Sequence, residues 1–361
     1  MEELGDIEVK QENQESRKPT AEKKPFDFSH FYDRNYKFLL IIPVLIILVA
    51  LVYIISFTAQ TGDIVKKDVS LTGGTTLTIY NGNISVIELQ NALQKKFNDV
   101  SVRRLTDFGT GQQLALTVES KAQPDELKKA VEEILNYSLD DKNSSVEFTG
   151  ESLSKSFYKE LIKAMFLAFV FMSVAIFLIF GTDNKFKTLA VFIVLIIFVL
   201  QVLVTESLIT NILSLILVAA LTFVYIRLSI PSVYVITCAI ADILIPMSLV
   251  NLTGMSLSTA GIAAFLMLIG YSVDSDIVLT MRVLKRKEDS LNSRIFGAFK
   301  TGITMTLTSL AAVLVGYIIT ISPVLKQIFF ILIIGLITDI IVTWSVNASL
   351  LKWYCDKREI K

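Results

Sequence analysis

FLLIIPVLIILVALVYIISF, residues 38–57, is an uninterrupted apolar run that places the chain in a membrane. An α-helix rises about 1.5 Å per residue, so roughly 20 apolar residues cross about 30 Å of hydrocarbon. The run exceeds the usual apolar core of a cleaved signal peptide and further apolar runs follow it, which favours a permanent span. Residues 1–37 are rich in Glu, Lys, Gln and Asn, and we expect a disordered cytosolic tail there.

Seven further apolar runs follow a polar interval at residues 58–157, so the sequence predicts eight spans. They lie at about 161–180, 186–204, 208–226, 231–250, 257–281, 303–321 and 324–350. Hydrophobic residues make up 53% of the chain and charged residues 19%, a balance too apolar for an ordinary soluble protein. We expect a transmembrane bundle over residues 158–350 and a short cytosolic tail at 351–361.

Basic residues in the short connections fall in alternate loops. The basic residues are Lys185, Lys187, Arg227, Arg282, Lys285, Arg286, Lys287, Arg294 and Lys300, whereas the opposite loops carry little besides Glu206 and Lys326. Because Lys and Arg are enriched on the cytosolic side, this pattern predicts that both termini are cytosolic and that the protein is a multi-pass protein of the cytoplasmic membrane. The long segment at 58–157 then lies outside the cell.

The composition excludes several classes of function. The 34 basic and 34 acidic residues cancel, so nucleic-acid binding is not expected. Cys238 and Cys355 are the only cysteines and His30 is the only histidine, which argues against a disulfide framework and against metal sites built from these residues. The sequence contains no GxGxxG, Walker or HExxH motif, so we expect no cofactor, no metal and no enzyme activity.

The outer segment at 58–157 alternates between strand-like and helix-like periods. Strands are predicted at 75–80, 100–105, 113–119 and 144–150, and helices at 86–97 and 124–135. The order strand, helix, strand, strand, helix, strand is the split βαβ, ferredoxin-like pattern. Because it contains no constellation of acid, base and nucleophile, a binding or mechanical role is favoured over catalysis.

Four acidic residues lie inside predicted spans: Asp242, Asp274, Asp276 and Asp339. A charge at mid-depth is costly unless it is paired or hydrated, so such residues are candidates for function. The functional interpretation is a proton or cation relay between helices. The structural interpretation is that each acid bonds to a hydroxyl or backbone group, and the sequence leaves both open.

The sixth span separates its two acids. At 100° per residue, Ser272, Asp276 and Thr280 share one face, whereas Asp274 points about 160° away. Both acids therefore cannot face the same partner. Arg282 is expected to anchor the helix at the inner boundary, with pairing to a relay acid as the alternative.

Three stretches together resemble the SecF family of protein-export subunits. VSLTGGTTLTI (69–79), with Thr72, Gly73 and Gly74, is similar to the family motif that leads into the extracytoplasmic domain. IADILIP (240–246) resembles its acidic motif after an Arg-x-x-x-Pro loop, here Arg227 to Pro231. LIGYSVDSDIVLTMRVLKR (268–286), with Gly270, Tyr271 and Ser272, is similar to the G-Y-S-x-N-D signature, in its archaeal form.

The resemblance implies a polytopic helical membrane protein of the RND superfamily with one ferredoxin-like outer domain. It implies SecD and a SecY-type channel as partners, unfolded exported polypeptide as substrate, membrane lipid as surroundings and proton re-entry as the driving force. By position, the family's acidic site falls on Asp242 and its relay Asp falls on Ser275, between Asp274 and Asp276. The family usually has six spans, so residues 186–226 are interpreted as an inserted hairpin.

Three alternatives stay open from the sequence. The first is an RND-type transporter subunit for a small molecule or a lipid, which the acidic residues would equally allow. The second is a passive scaffold in which the acids are structural, and the third is an enzyme of the membrane surface.

Overall fold

The computed structural model describes residues 28–106, 110–204, 207–286 and 290–359. Helices predominate, with one small sheet. The helices are α1 (Phe28–Thr61), α2 (Val69–Thr72), α3 (Val86–Gln94), α4 (Pro124–Leu135), α5 (Glu151–Phe180), α6 (Asn184–Val202), α7 (Leu208–Leu228), α8 (Ile230–Leu252), α9 (Thr259–Lys285), α10 (Leu291–Ile319), α11 (Pro323–Val342) and α12 (Ala348–Lys357), with a π-helical turn (Thr343–Asn347) between the last two. The strands are β1 (Gly74–Ile79), β2 (Ser101–Thr106), β3 (Gln113–Ser120) and β4 (Ser144–Thr149).

Among the described residues, eight helical segments are long and apolar enough to cross a membrane, as the sequence predicts. They are α1, the helices α5 to α10, and the continuous segment from α11 through α12. Several ends differ from the prediction, because hydropathy marks the length inside hydrocarbon whereas a helix continues past it.

Both predicted terminal tails are partly helical, and the seventh span begins before its predicted first residue. Helix α1 begins at Phe28, so residues 28–37 extend it, while residues 1–27 of the predicted tail lie outside the described residues. Helix α12 runs to Lys357, so most of the predicted tail at 351–361 is helix. Helix α10 begins at Leu291 rather than near residue 303, because its first turns are polar.

The outer domain confirms the ferredoxin-like prediction. Its sheet has the order β2-β3-β1-β4 with every neighbouring pair antiparallel. Helices α3 and α4 pack on one face around a core that includes Leu77, Leu116 and Leu127. Helix α4 begins where Pro124 and the acids Asp125 and Glu126 favour a first turn.

The other face of this sheet is polar and looks toward the outer loops of the membrane domain. A cleft of about 440 Å³ lies between them. Arg103 on β2 crosses the gap and donates to the Ser256 hydroxyl at 2.6 Å. Lys326 at the start of α11 donates to the carbonyl of Thr106 at 2.6 Å. The outer domain is thereby attached to the α8–α9 loop and to the first turn of α11.

Helices α8, α9 and α11 form the centre of the bundle, with α1, α5 and α10 around them. Gly335 lets α11 approach α9 closely, because a Cβ atom there would lie 2.3 Å from a methyl group of Leu268. The hairpin α6–α7 packs against α5 and α8 through a separate core that includes Val194 and Leu221. The hairpin therefore lies outside the central three helices.

A buried carboxylate cluster

Three carboxyl groups lie inside the centre of the bundle. Asp242 on α8 and Asp276 on α9 are both 0% exposed, and Asp339 on α11 is 1% exposed. The three groups are close enough to interact electrostatically with one another. Since buried carboxylates inside a membrane are costly when charged, this carboxylate cluster has to be protonated, hydrogen-bonded or hydrated.

One hydroxyl group links two of the three acids. Thr343 Oγ1 lies 2.9 Å from Asp276 Oδ1 and 3.1 Å from Asp339 Oδ1. A hydroxyl group has one proton, so Thr343 can donate to only one carboxylate at a time. The other acid can bond to the same oxygen only by donating a proton itself. The geometry is therefore suited to a pair of acids that hold and exchange a proton.

The π-helical turn supplies a second donor to the cluster. Asn347 Nδ2 donates to Asp276 Oδ1 at 2.7 Å. Both Thr343 and Asn347 are completely buried. π-helical turns inside α-helices are rare and often lie at functional sites. Here the turn directs two side chains of the last span toward one carboxyl group.

Asp242 joins the cluster from α8. Its Oδ2 accepts a hydrogen bond from the Ser272 hydroxyl, which lies one turn from Asp276 on α9. Asp242 Oδ1 and Asp276 Oδ2 are buried and have no hydrogen-bond partner among the described residues. Each of these two acids thus has one oxygen that can take a proton or a water molecule.

A second layer of hydroxyl groups surrounds Asp339. Thr306 Oγ1 on α10 lies 3.4 Å from Asp339 Oδ2 and 3.4 Å from Ser275 Oγ. Ser275, to which the family resemblance assigns the relay position, is 3% exposed and faces α10. The acids flanking it have opposite environments, since Asp276 is buried and Asp274 is exposed. The prediction that these two acids point to different sides of α9 is confirmed.

Asp274 and Arg282 lie outside the cluster. Asp274 shares an outward stripe of α9 with Gly270 and Tyr271, all exposed. Arg282 Nη1 donates to the Gly297 carbonyl and, at 3.0 Å, to Thr301 Oγ1 on α10. Among the described residues Arg282 therefore joins α9 to α10, and the alternative of a pairing with a relay acid is not observed.

The glycines of the first motif shape the base of the outer domain. Gly73 and Gly74 have φ values of 88° and 144°, which side chains rarely allow. A Cβ atom on Gly74 would lie 2.4 Å from the Ser120 carbonyl oxygen on the neighbouring strand. Thr72 donates to the Asp68 carbonyl at 2.9 Å and closes the short helix α2. This motif is therefore a structural joint, distant from the carboxylate cluster.

Two acidic groups at the joint have raised pKa values. Burial raises the pKa of Asp68 from 3.8 to about 6, against the hydrogen bond from Ser70 that lowers it. Burial also raises the pKa of Glu119, against the nearby Arg103 guanidinium that lowers it. Glu119 accepts a hydrogen bond from Arg103 at 2.9 Å.

Sequence reasoning missed Thr343, Asn347 and Thr306. A signal for two of them exists, because Asp339, Thr343 and Asn347 recur every four residues on one face of a largely apolar span. Thr306 carries no such signal, since its role depends on how α10 packs against α9 and α11.

In the part of the chain that the structure describes, eight helices long enough to span a membrane, three central carboxyl groups and a ferredoxin-like outer domain define a polytopic membrane protein. The fold is that of SecDF, a translocon-associated membrane protein from Thermus thermophilus, with a TM-score of 0.59 at 16% identity over 91% of this chain. The present chain spans 38% of that longer chain. Residues 199–357 match the family described as protein export membrane protein SecD/SecF, C-terminal.

Relatives found by sequence identify the family more specifically than the fold does. The protein-export membrane protein SecF of Methanocaldococcus jannaschii is 31% identical over 335 residues, which cover 91% of this chain and 99% of that protein. SecF of Pyrococcus furiosus is 30% identical over 326 residues, covering 90% and 93% of the two chains. SecF of Methanolacinia petrolearia is 48% identical over 145 residues, covering 39% and 51%. The chain belongs to the SecF family of protein-export membrane proteins.

Proposed function

We propose that this chain assists the export of polypeptides across the cytoplasmic membrane, together with a SecD partner and a SecY-type channel. In this proposal protons that move through the carboxylate cluster drive movement of the outer domain. The observation that carries it is the Thr343 hydroxyl between Asp276 and Asp339, since a single proton donor between two buried acids couples their protonation.

Contacts at the outer surface support mechanical coupling. The helices that carry the acids, α8, α9 and α11, also hold the outer domain at their outer ends. The Asn251 side chain at the end of α8 donates to the Ile64 carbonyl at 2.9 Å. The Thr259 N–H at the start of α9 donates to the Ser70 hydroxyl at 3.0 Å, and Lys326 on α11 donates to Thr106. A change in helix packing at the cluster would therefore reach the outer domain directly.

The orientation follows from charge. The ends of α6, α7 and α10 that carry Lys185, Arg227 and Arg294 lie on the side opposite the outer domain. The positive-inside rule assigns that side to the cytosol and the outer domain to the outside. With both termini cytosolic, protons enter the cluster from the outer side and leave toward the cytosol.

An exposed stripe on α9 supports a second membrane subunit. Asp274 is exposed although it lies near the middle of α9, where the surroundings are hydrocarbon. Gly270 has no heavy atom within 4 Å of an added Cβ position, so a neighbouring helix can approach closely there. A partner helix with a polar group at this depth would remove the cost of the exposed carboxylate, and SecD is the proposed partner.

A pair of threonine variants tests the proposed function. Thr343→Val keeps the side-chain shape and removes the shared hydroxyl, so we expect export of a secreted reporter protein to fall strongly at normal membrane abundance. Thr338→Val is the matched control, because within the described ranges this buried hydroxyl on α11 bonds only to the Ile334 carbonyl of its own helix. Normal export by Thr343→Val would refute coupling through the cluster.

The same assay addresses the transporter alternative. A role in the export of a small molecule or a lipid predicts that reporter export is unaffected when the chain is depleted. We expect instead that depletion slows the release of the reporter on the outer side, and that the wild-type chain restores it.

A further inference from the structure

Buried polar atoms without partners form a line on the cytosolic side of Asp276. Among the described residues, Asp276 Oδ2, Thr280 Oγ1, Asn347 Oδ1 and the Nε and Nη2 atoms of Arg294 are buried and make no hydrogen bond. All four side chains are at most 2% exposed. Unpartnered buried polar groups are uncommon in proteins and each requires an explanation. We call Thr280, Asn347 and Arg294 the cytosolic polar line.

Helix α9 sets the direction of this line. Thr280 lies four residues after Asp276 on the same face, one turn closer to the cytosolic end. The next residue of that face, Val283, accepts a hydrogen bond from Arg294 Nη1 at 2.9 Å through its carbonyl group. One helix face thus leads from the carboxylate cluster to Arg294 in two turns.

Asn347, a member of the cytosolic polar line, lies at the level of Asp276, to which it is hydrogen-bonded. Its Nδ2 atom is used by Asp276, which leaves Oδ1 as an acceptor without a donor. An apolar cluster that includes Leu279, Leu351 and Cys355 packs around the cytosolic end of the same helices. The polar atoms therefore lie within apolar packing and do not reach the surface in this conformation.

We infer that the cytosolic polar line is a hydrated path through which protons leave the carboxylate cluster. This inference rests on the proposed function and its orientation. Asp276 Oδ2 and Asn347 Oδ1 require donors, whereas the free N–H groups of Arg294 require acceptors. Water supplies both, and buried water typically makes about three hydrogen bonds to such groups. A metal cation at this position would be repelled by the guanidinium group of Arg294, and an anion would be repelled by the carboxyl groups of the cluster.

Arg294 closes the path at its cytosolic end. Its Nη1 atom also donates to the Arg286 carbonyl at 2.5 Å, so the guanidinium group caps the last turn of α9. A fixed positive charge in a narrow path opposes the passage of protons and cations. The path is therefore closed in this conformation, which prevents a leak when no polypeptide is moving.

A pair of cysteine variants tests the path. In a chain whose native cysteines are replaced by alanine, Thr280→Cys and Leu279→Cys introduce thiols at neighbouring positions that are both 0% exposed. The probe is a small anionic methanethiosulfonate, applied to working membranes from either side. We expect Thr280→Cys to react about tenfold faster or more than Leu279→Cys, because thiolates form in water and not in apolar packing. We expect this difference only when the probe is on the cytosolic side.

Equal rates for the two cysteines, or reaction only from the outer side, would overturn the path. A second variant, Thr280→Val, removes the unpartnered hydroxyl without changing the shape of the side chain. We expect slower export at normal abundance, whereas a purely structural hydroxyl predicts no loss. Labelling of Thr280→Cys with normal export by Thr343→Val would refute the proposed function alone. Loss of export by Thr343→Val with an unreactive Thr280→Cys would refute the path alone.

Discussion

The hydroxyl of Ser70, in the short helix that leads into the outer domain, accepts a hydrogen bond from the backbone N–H of Thr259, the first residue of α9, at 3.0 Å. The same hydroxyl donates to the Asp68 carboxylate at 2.6 Å. A segment of the outer domain therefore caps the helix that carries Asp276. This contact is one of the connections between the helices of the carboxylate cluster and the outer domain.

Ser70→Ala removes this cap. We expect a loss of about 1 kcal/mol in the attachment of the outer domain, the usual net value of one hydrogen bond. Limited proteolysis in the segment between α1 and β1 should become faster, while the bundle stays intact. Thr72→Ser is the control, since it keeps the hydroxyl that bonds to Asp68. Equal protease sensitivity of Ser70→Ala and the wild type would contradict the capping role.

Asp68 makes the attachment depend on pH. Its pKa is raised from 3.8 to about 6, so the folded state binds this proton more tightly than the unfolded state. The contribution of Asp68 to the stability of the folded state is therefore largest below pH 3.8, and it is lost as the pH rises through about 6. Glu119 has a raised pKa for the same reason and adds in the same direction.

Asp68→Asn separates the pH dependence due to Asp68 from that due to Glu119. Asparagine keeps the side-chain oxygen that caps α2, but it does not titrate. We expect the wild-type outer domain to lose up to about 1 kcal/mol of stability per pH unit between pH 5 and 6. Urea unfolding, followed by a probe placed in the outer domain, should show a flatter pH dependence for Asp68→Asn. An unchanged slope would mean that other groups dominate.

Gly74→Ala should prevent correct folding of the outer domain. The added Cβ atom would overlap the Ser120 carbonyl at 2.4 Å and would occupy a φ of 144°. We expect a loss of about 2 kcal/mol or more and a clear fall in membrane abundance. Gly150→Ala is the matched control at the other end of the domain, because no heavy atom lies within 4 Å of its Cβ position. Similar abundance of both variants would contradict the steric argument.

Substitutions of the two acids of α9, Asp274 and Asp276, should cause different defects. Asp276→Asn is expected to stop reporter export while co-purification with a second subunit in mild detergent is retained. Asp274→Asn is expected to weaken that co-purification, because Asp274 lies on the exposed stripe and not in the cluster. Asp242→Asn should resemble Asp276→Asn, since its carboxyl group bonds to Ser272 inside the bundle. Identical behaviour of Asp274→Asn and Asp276→Asn would refute the division.

Much of the fold could be predicted because membranes and sheets impose simple periods. Twenty-residue apolar runs identified the spans, and alternation with turn residues identified the outer strands. The predicted helix ends were less accurate. Helices α1 and α10 begin at Phe28 and Leu291, in segments too polar to be recognised as membrane spans. The opposite orientations of Asp274 and Asp276 followed from helix geometry alone.

The composition of the cluster could be predicted only in part. Asp242, Asp276 and Asp339 were identified as intramembrane acids, but their common centre depends on how three helices pack. Thr343 and Asn347 were missed because their direction depends on a local change of helix type. Arg282 was expected to anchor the inner end of α9, and its bonds to Gly297 and Thr301 depend on how the cytosolic end of α9 packs on α10.

The π-helical turn has a consequence for the rotational phase of the last span. In a regular α-helix, residues four apart drift by about 40° around the axis, so a stripe that begins at Asp339 would turn steadily away from α9. The wider turn at Thr343–Asn347 rotates less per residue and brings the stripe back. The π-helical turn thus contains one residue more than the corresponding turn of an α-helix, and the membrane span accommodates it. Deleting a single residue there would turn the segment into regular α-helix and leave α12 in nearly the same phase, but it would change the directions in which Thr343 and Asn347 point.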